Sequence, residues 1–422
     1  MILDGVDKVL VEKKDGIEDF LSYHRNQVRC PVYASVDIRR NHTKAAVVDA
    51  NAFPAGFNNL APRSHRVASE AIQNYMQRTY PGAMDFLLVA EGHTRNKGYF
   101  ENLRVLQQLF TDAGFRLMLG TMNEELFPEA TVETMSGKFI VIHGVLREGD
   151  ELIAGGVVPD VVVLNNDLAE GTPSILDALE QPVTPPPIMG WHRRRKGEHF
   201  RIVGELARQL GTYAGFDPWC ISTTFERVDG VDFRGRDGLQ GVADAINRVI
   251  ASVQEKYDVV GIRRPPHVFV KADPGTYGMG ITTAKSGEEF LTLNSKGRER
   301  MDRGKGRVKT QSVLVQEGVP TDLRSGPQAM VAEPVMYMVC GRVIGGFNRV
   351  HGAKSDDENL NSPGSTFEPL AFLTDGQREP NEPVLDDVST HIYQVLGEIA
   401  SIATGYELRF ADEPGAILSS YP

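Results

Sequence analysis

The chain reads as a mixed α/β and α+β protein, a parallel α/β N-terminal domain followed by α+β domains. Three observations predict this. Strand-length apolar runs alternate with helical stretches over residues 32–164, the rhythm of a parallel unit. Proline-rich breaks interrupt the chain at residues 181–187 (QPVTPPP) and 263–266 (RRPP). Beyond the second break, glycine-rich turns rather than long helices separate the strands.

The elements follow in order. Residues 1–29 are polar with a helical pattern, and residues 32–38 (VYASVDI) are a buried strand. A helix at 64–79 and a strand at 86–90 (FLLVA) come next, then a helix at 99–113 and a strand at 115–119. Residues 139–143 and 161–164 are further strands. Proline fixes its own φ and cannot donate a backbone hydrogen bond, so 181–187 is loop. Helices are predicted at 198–213 and 241–256, the second with a clear amphipathic pattern. Strands follow at 267–271, 281–284 and 313–317, then a hairpin over 331–348 turning at Cys340 and Gly341. A helix at 386–404 closes the chain, and the basic segment 304–309 (GKGRVK) reads as a loop. The expected segments are 1–185, 186–265 and 266–422.

Composition narrows the function. At 422 residues the chain is too long for one ordinary domain. A net charge of −11 leaves no global basic surface, which argues against a nucleic-acid partner. Cys30, Cys220 and Cys340 are far apart and odd in number, which fits a reducing compartment and offers no zinc-ligand spacing. The charged N-terminus lacks a signal-type apolar core, and no long apolar stretch predicts a membrane span. The expected location is the cytoplasm.

Residues 267–283 (HVFVKADPGTYGMGITT) carry the strongest chemical signal. An apolar strand ends in Lys271, Gly275, Gly278 and Gly280 follow with Tyr277 among them, and a β-branched run resumes. Glycines let backbone N–H groups approach phosphate oxygens, and a lysine adds a point charge. Neither a Walker pattern nor a Rossmann glycine order is present, and a strand rather than a helix follows. A plain hairpin with a glycine-rich turn is the competing reading.

The context is what separates them. Residues 313–319 (VLVQEGV) form a second strand carrying Gln316 and Glu317. Glu333 lies in VAEPVMY, Arg349 in VIGGFNRVH, and Glu358, Asn359 and Asn361 in ENLNSPG. This order resembles the ATP-grasp superfamily. The resemblance implies ATP held by Lys271, Gly275, Tyr277, Gly278, Gly280, Gln316 and Glu317, with Arg349 and Lys271 catalytic. Mg²⁺ is a hard cation that prefers oxygen ligands. Glu358 with Asn361 is the nearest match to a metal pair, with Glu333 or Glu317 as alternatives, and solvated acids or turn residues compete with each.

Three polar stretches supply the substrate side. Asp37 and Arg39 end the first strand, and residues 47–60 (VVDANAFPAGFNNL) gather Asp49, Asn51, Asn58 and Asn59 in what reads as a loop. Residues 91–96 (EGHTRN) add His93, Arg95 and Asn96 after another strand, where α/β sheets hold ligands. Residues 190–199 (GWHRRRKGEH) carry Arg193, Arg194, Arg195 and Lys196 beside Trp191, a carboxylate or phosphate clamp or else a solvated face.

Taken together, VDANAFPAGFNNL, EGHTRNKGYFENL, GWHRRRKGEHF, VFVKADPGTYGMGI and ENLNSPGSTFEPL resemble the proteobacterial-type glutamate–cysteine ligase family over residues 30–375. The resemblance implies ATP-dependent ligation of L-glutamate to L-cysteine, the first step of glutathione synthesis. The expected partners are these small molecules, with no nucleic acid and no membrane, and a homodimer is the prior assembly. Another ligase of the ATP-grasp type, such as a glutathione synthetase or dipeptide ligase, is the nearest alternative. A non-catalytic nucleotide-binding regulator and a structural protein are the others.

Overall fold

A computed structural model describes residues 2–235, 237–274, 280–302, 309–370 and 387–421. It is a mixed α/β structure with three sheets. Among the described residues, no helix is long and apolar enough to cross a membrane.

The sheet that positions the site is antiparallel and joins the two ends of the chain. Its strand order is Thr366–Leu370, Arg342–His351, Met330–Val339, Tyr33–Arg40 and Ala45–Asn51, with Arg324–Ser325 added beside Met330–Val339. Side chains alternate across a strand. On one face Ala34, Val36, Ile38, Met336 and Met338 join a core with the long helix Asp387–Arg409. On the other face Tyr33, Val335, Tyr337 and Phe347 join a second core with the helices Pro62–Thr79 and Lys97–Asp112. The predicted hairpin turns where expected: Cys340 and Gly341 have φ of 54° and 81°. Positive φ at both central residues is the tight-turn geometry that matches strand twist.

The second sheet is also antiparallel, in the order Phe225–Asp229, Ser312–Glu317, Val268–Ala272, Ile281–Ala284. Its last two strands are the predicted glycine-loop pair, with Lys271 opposite Ile281. Gly275, Tyr277, Gly278 and most of the 304–309 segment lie outside the described residues.

The third sheet holds the predicted parallel unit. Asp85–Ala90 pairs in parallel with Arg116–Thr121 and with Val161–Asn165, and the helix Lys97–Asp112 provides the crossover. Antiparallel strands Glu129–Glu133 and Glu151–Ala154 flank Phe139–Glu148.

Some expectations are corrected. The first strand lies in the antiparallel sheet, not in the parallel unit. Residues 45–51 are strand rather than loop, because alternation there is masked by alanines and by half-buried polar residues. The stretch 181–187 contains the short edge strand Val183–Thr184, which proline tolerates only at an edge. One sheet also draws strands from both the first and the third expected segments.

Candidate active site

Strand register builds the site. Asp37 lies opposite Asp49, and Ser35 opposite Asn51. On the other side Asp37 lies opposite Val335, and Glu333 lies opposite Arg349. Residues two apart share a face, so these polar side chains converge on one wall.

The wall is an ion lattice. Arg349 Nη1 donates to Asp37 Oδ2 at 2.7 Å and to Glu333 Oε1 at 2.5 Å. Arg39 Nε meets Glu333 Oε2 at 2.5 Å, while its two terminal nitrogens donate to the Asp356 and Glu358 carbonyls at 3.0 and 2.6 Å. Burial raises the Asp37 pKa above the usual carboxylate range, Glu333 adds to that rise, and Arg349 only partly offsets it. Glu333 is more deeply buried, yet Arg39 and Arg349 together hold its carboxyl below that range. Removing either arginine would strand a buried carboxylate.

Lys271 enters the same cleft from the second sheet. Its Nζ donates to the Val48 carbonyl at 2.7 Å and to Gln316 Oε1 at 2.8 Å, and Gln316 Nε2 donates to Thr223 Oγ1 at 2.9 Å. An ammonium has three donors, and among the described residues two of them are used. Burial lowers the Lys271 pKa to about 8. Burial opposes ionisation of Asp49 as well, but Lys196, in contact with it, and Lys271 keep it ionised.

Two cavities meet here. One is lined by Arg39, Phe269, Lys271, Gln316 and Glu333. The other is lined by Asn51, Asn58, His93, Asn96, Tyr337 and Arg349. Asp37, Asp49 and Asn361 line both.

Other expected residues fall elsewhere. Asn59 accepts a bond from Asn58 at 3.1 Å and lies behind the cavity, and Arg95 is exposed outside it. Asn96 also caps the helix Lys97–Asp112 by accepting from Tyr99 N at 3.1 Å. The Glu317 carboxylate is bound by Lys44 at 2.8 Å, Trp219 at 3.2 Å and Thr224 N at 2.9 Å. Its main-chain N–H donates to the Thr224 carbonyl at 2.8 Å, so neither that N–H nor the carboxylate is free for a ligand. Gly280 has φ of 64°, a left-handed conformation that favours glycine at the foot of the loop.

Of the expected metal residues, Glu333 and Asn361 line the Lys271 cavity and Glu358 does not. Glu333 is neutralised by two guanidiniums, as above. Glu358 is half-buried, bound by Lys354 and by Ser355 N at 2.9 Å each, and the Ser355 amide above all holds its pKa at about 2. Among the described residues, no three His, Cys, Asp or Glu side chains form a preformed metal cage.

The basic run also divides. Arg194 is buried against Glu407 at 2.8 and 3.0 Å and donates to the Ala50 carbonyl at 2.9 Å, so it is no substrate clamp. Trp191 lies under Arg194 and Lys196, at 4.8 and 4.5 Å from its ring centre. Glu407 also accepts a 2.5 Å bond from His199, whose pKa burial lowers. Only Arg195 opens onto a cavity, a third one. Sequence reasoning missed Glu407, for which no local signal exists. It noted Asp49 without a role, although the register opposite Asp37 is legible once residues 45–51 are read as strand.

A family model for glutamate–cysteine ligase matches residues 7–408. A solved structure from Methylobacillus flagellatus KT, of a protein assigned as a gamma-glutamylcysteine synthetase, is similar at 34% identity with a TM-score of 0.89. The match covers 97% of this chain and 96% of that one. D-alanyl-alanine synthetase A from Vibrio cholerae O1 biovar eltor str. N16961 is a remote likeness at 12% identity and a TM-score of 0.33, covering 76% and 81% of the two chains, and supports no argument. No curated protein matches the chain. The family match spans the cleft wall, the lysine strand and both cavities, and the chain belongs to the glutamate–cysteine ligase family.

Proposed function

We propose that the two cavities meeting at Asp37, Asp49 and Asn361 are one active site, with ATP on the Lys271 side and glutamate on the Asn51 side. Family membership makes the chain an ATP-dependent ligase that joins glutamate to cysteine. The observation that carries the placement is the shared wall: a phosphate held by Lys271 and a carboxylate held beyond Asp37 would meet there.

The chemistry explains the arrangement. A carboxylate resists attack by an amine because its oxygen is a poor leaving group. Transfer of the ATP γ-phosphoryl group to the glutamate γ-carboxylate gives an acyl phosphate and ADP. The cysteine amine then attacks the acyl carbon, phosphate leaves, and γ-glutamylcysteine remains. The protein's part is positioning and charge neutralisation. Lys271 uses its remaining N–H on a phosphate oxygen. Arg349, held by Asp37 and Glu333, faces the glutamate cavity and balances charge on the acyl phosphate. Asn51, Asn58, His93 and Asn96 orient the amino acid.

Mg²⁺ fits the donors present. Asp37 and Asp49 face each other across two strands, and Asn361 lines both cavities. Such a cation is commonly held by one or two carboxylates plus substrate phosphates. Burial above all, and then the Glu333 and Asp49 carboxylates, raise the Asp37 pKa, and a cation beside it would oppose that rise. These residues, rather than Glu333 and Glu358, are the proposed holders, and the ion would neutralise phosphate charge when bound. The lysine strand and its glycine loop support an ATP-grasp-like architecture. Residues 1–185 would then serve mainly the substrate, 266–422 the nucleotide, and 186–265 would link them.

Phosphate release from ATP–Mg²⁺ tests this. Release should require glutamate and cysteine together. Release with γ-glutamylcysteine plus glycine would instead mark a glutathione synthetase, and no release with any pair would mark a non-catalytic nucleotide binder.

A further inference from the structure

The reaction brings two amino acids, and therefore two α-carboxylates, to one site. The cleft offers few cations to receive them. Arg349 is shared by Asp37 and Glu333, Arg39 is bound to Glu333, and Lys196 is bound to Asp49. Arg194 is buried against Glu407.

Arg195 differs. It is half-buried, and its described hydrogen bonds all run through Nη1, to the carbonyls of His192, Arg193 and Arg194 at 3.3, 2.9 and 2.8 Å. These bonds fix the plane of the guanidinium. Among the described residues no carboxylate forms an ion pair with it, which leaves the Nε and Nη2 edge for an anion. Arg227 and Lys309, which line the same cavity, are already paired: Arg227 with Asp273 at 3.0 Å and Asp229 at 2.7 Å, Lys309 with Asp232 at 3.5 Å. These pairs also occupy Asp229 and Asp232, and the remaining acid of the cavity, Glu170, is exposed. Asp273 and Asp229 lie within electrostatic reach of Arg195 but bond Arg227; a half-buried guanidinium with no carboxylate bonded to it is costly to keep, and its fork matches a carboxylate in two bonds.

The cavity is next to the reacting wall. Trp191 lines both it and the glutamate cavity. Lys196, the residue after Arg195, reaches Asp49 on the shared wall. An amino acid held by its carboxylate at Arg195 would present its amine past Trp191.

We propose that Arg195 binds the α-carboxylate of the amine-donating amino acid, and so selects a thiol amino acid over a simple thiol amine. This rests on the ligase reading above and adds which substrate this cavity receives. The test compares cysteine with cysteamine, which lacks only the carboxylate, as acceptor in the intact enzyme with ATP–Mg²⁺ and glutamate. Arg195→Ala should lower kcat/KM for cysteine about 10- to 100-fold, the range for losing a charge-assisted hydrogen bond. The cysteamine value should stay within about twofold, as should the KM for glutamate and ATP. Arg195→Lys should recover part of the loss, and an unchanged melting temperature with calorimetric cysteine binding separates recognition from folding. Equal losses for cysteine and cysteamine, or a rise in KM for glutamate or ATP instead, would overturn the assignment while leaving the ligase reading intact. Wild-type release that does not require glutamate and cysteine would overturn both.

Discussion

Two charge-dense regions border the same cleft and are built in opposite ways. On the sheet wall Asp37, Arg39, Glu333 and Arg349 come from distant parts of the sequence, yet they form one lattice. In the run Arg193 to Lys196 the charges are consecutive, yet no two share a carboxylate: Arg193 points toward Asp412, Arg194 to Glu407, Arg195 into an open cavity and Lys196 to Asp49. The backbone explains the difference. In a strand, residues two apart face the same way and register aligns partners across strands. The run lies in a turn and an extended N-cap leading into the helix Lys196–Ala214, where no strand register aligns neighbours, so their side chains diverge. Charge density along a sequence is therefore a poor guide to a clamp, and spacing by two on paired strands is a better one.

The largest expected effect lies at Lys271, which faces the wall from the second sheet. Lys271→Ala should reduce kcat by about 100- to 1,000-fold with the fold unchanged, the usual loss for a positioned charge-stabilising donor. Full activity would sink the site assignment. Its pH dependence has a definite sign. Burial lowers this lysine to about 8, so the charged form is lost as pH rises through that value. The kcat/KM for ATP, which reports the free enzyme, should fall above about pH 8, and Lys271→Arg should move that limb upward.

Next come the two buried arginines that distinguish the regions. Arg349→Ala and Arg194→Ala each strand a buried carboxylate and should each cost about 3–5 kcal/mol in urea denaturation. Only Arg349→Ala should also abolish turnover in the fraction that stays folded. If Arg194→Ala did so to the same degree, the contrast between wall and run would collapse. The Arg194 partner adds a stability test. Burial alone would raise Glu407, but Arg194 and His199 hold it at about 2. A depressed folded pKa contributes stability above the unfolded value and loses it as pH falls from about 4.5 toward 2. Glu407→Gln should flatten that acid limb, as followed by denaturation at stepped pH.

A smaller effect is expected at Gly318, beside the strand that carries Glu317. A Cβ there would lie 2.2 Å from His267 Nε2. Gly318→Ala should cost about 1–3 kcal/mol through overpacking, read as a lower melting temperature. The smallest effect on chemistry belongs to the cysteines. Burial pushes Cys30 up to about 12 and raises Cys220 and Cys340, so all three stay protonated and unreactive. Replacing all three by alanine should leave kcat within about twofold, because none is the nucleophile.

Much of the fold was legible. Strands rich in β-branched residues, the crossover helix and the Cys340–Gly341 turn follow from local patterns. The strand Ala45–Asn51 was not, because three alanines and two polar residues hide its alternation. Of the residues singled out in the sequence, Lys271, Asp37, Arg349, Asn51, Asn58, His93 and Asn96 line the two cavities. Glu317, Glu358 and Arg194 did not behave as free ligands, because each has protein partners distant in sequence or invisible to a motif.

By itself the sequence determined the mixed class of the fold, the glycine-loop strand pair with its lysine, and the family, since these depend on local spacing and on motif order. Tertiary structure decided which charges meet. The sheet that pairs residues 33–51 with residues 324–370 creates the wall, and the helix Asp387–Arg409 brings Glu407 to Arg194. Burial then sets what each charge can do: Arg39, Glu333 and Arg194 need their partners in order to stay buried, whereas among the described residues Lys271 and Arg195 keep donors in hand. Local patterns contain no information about such pairings, because a desolvated charge takes its partner from whatever the fold places beside it.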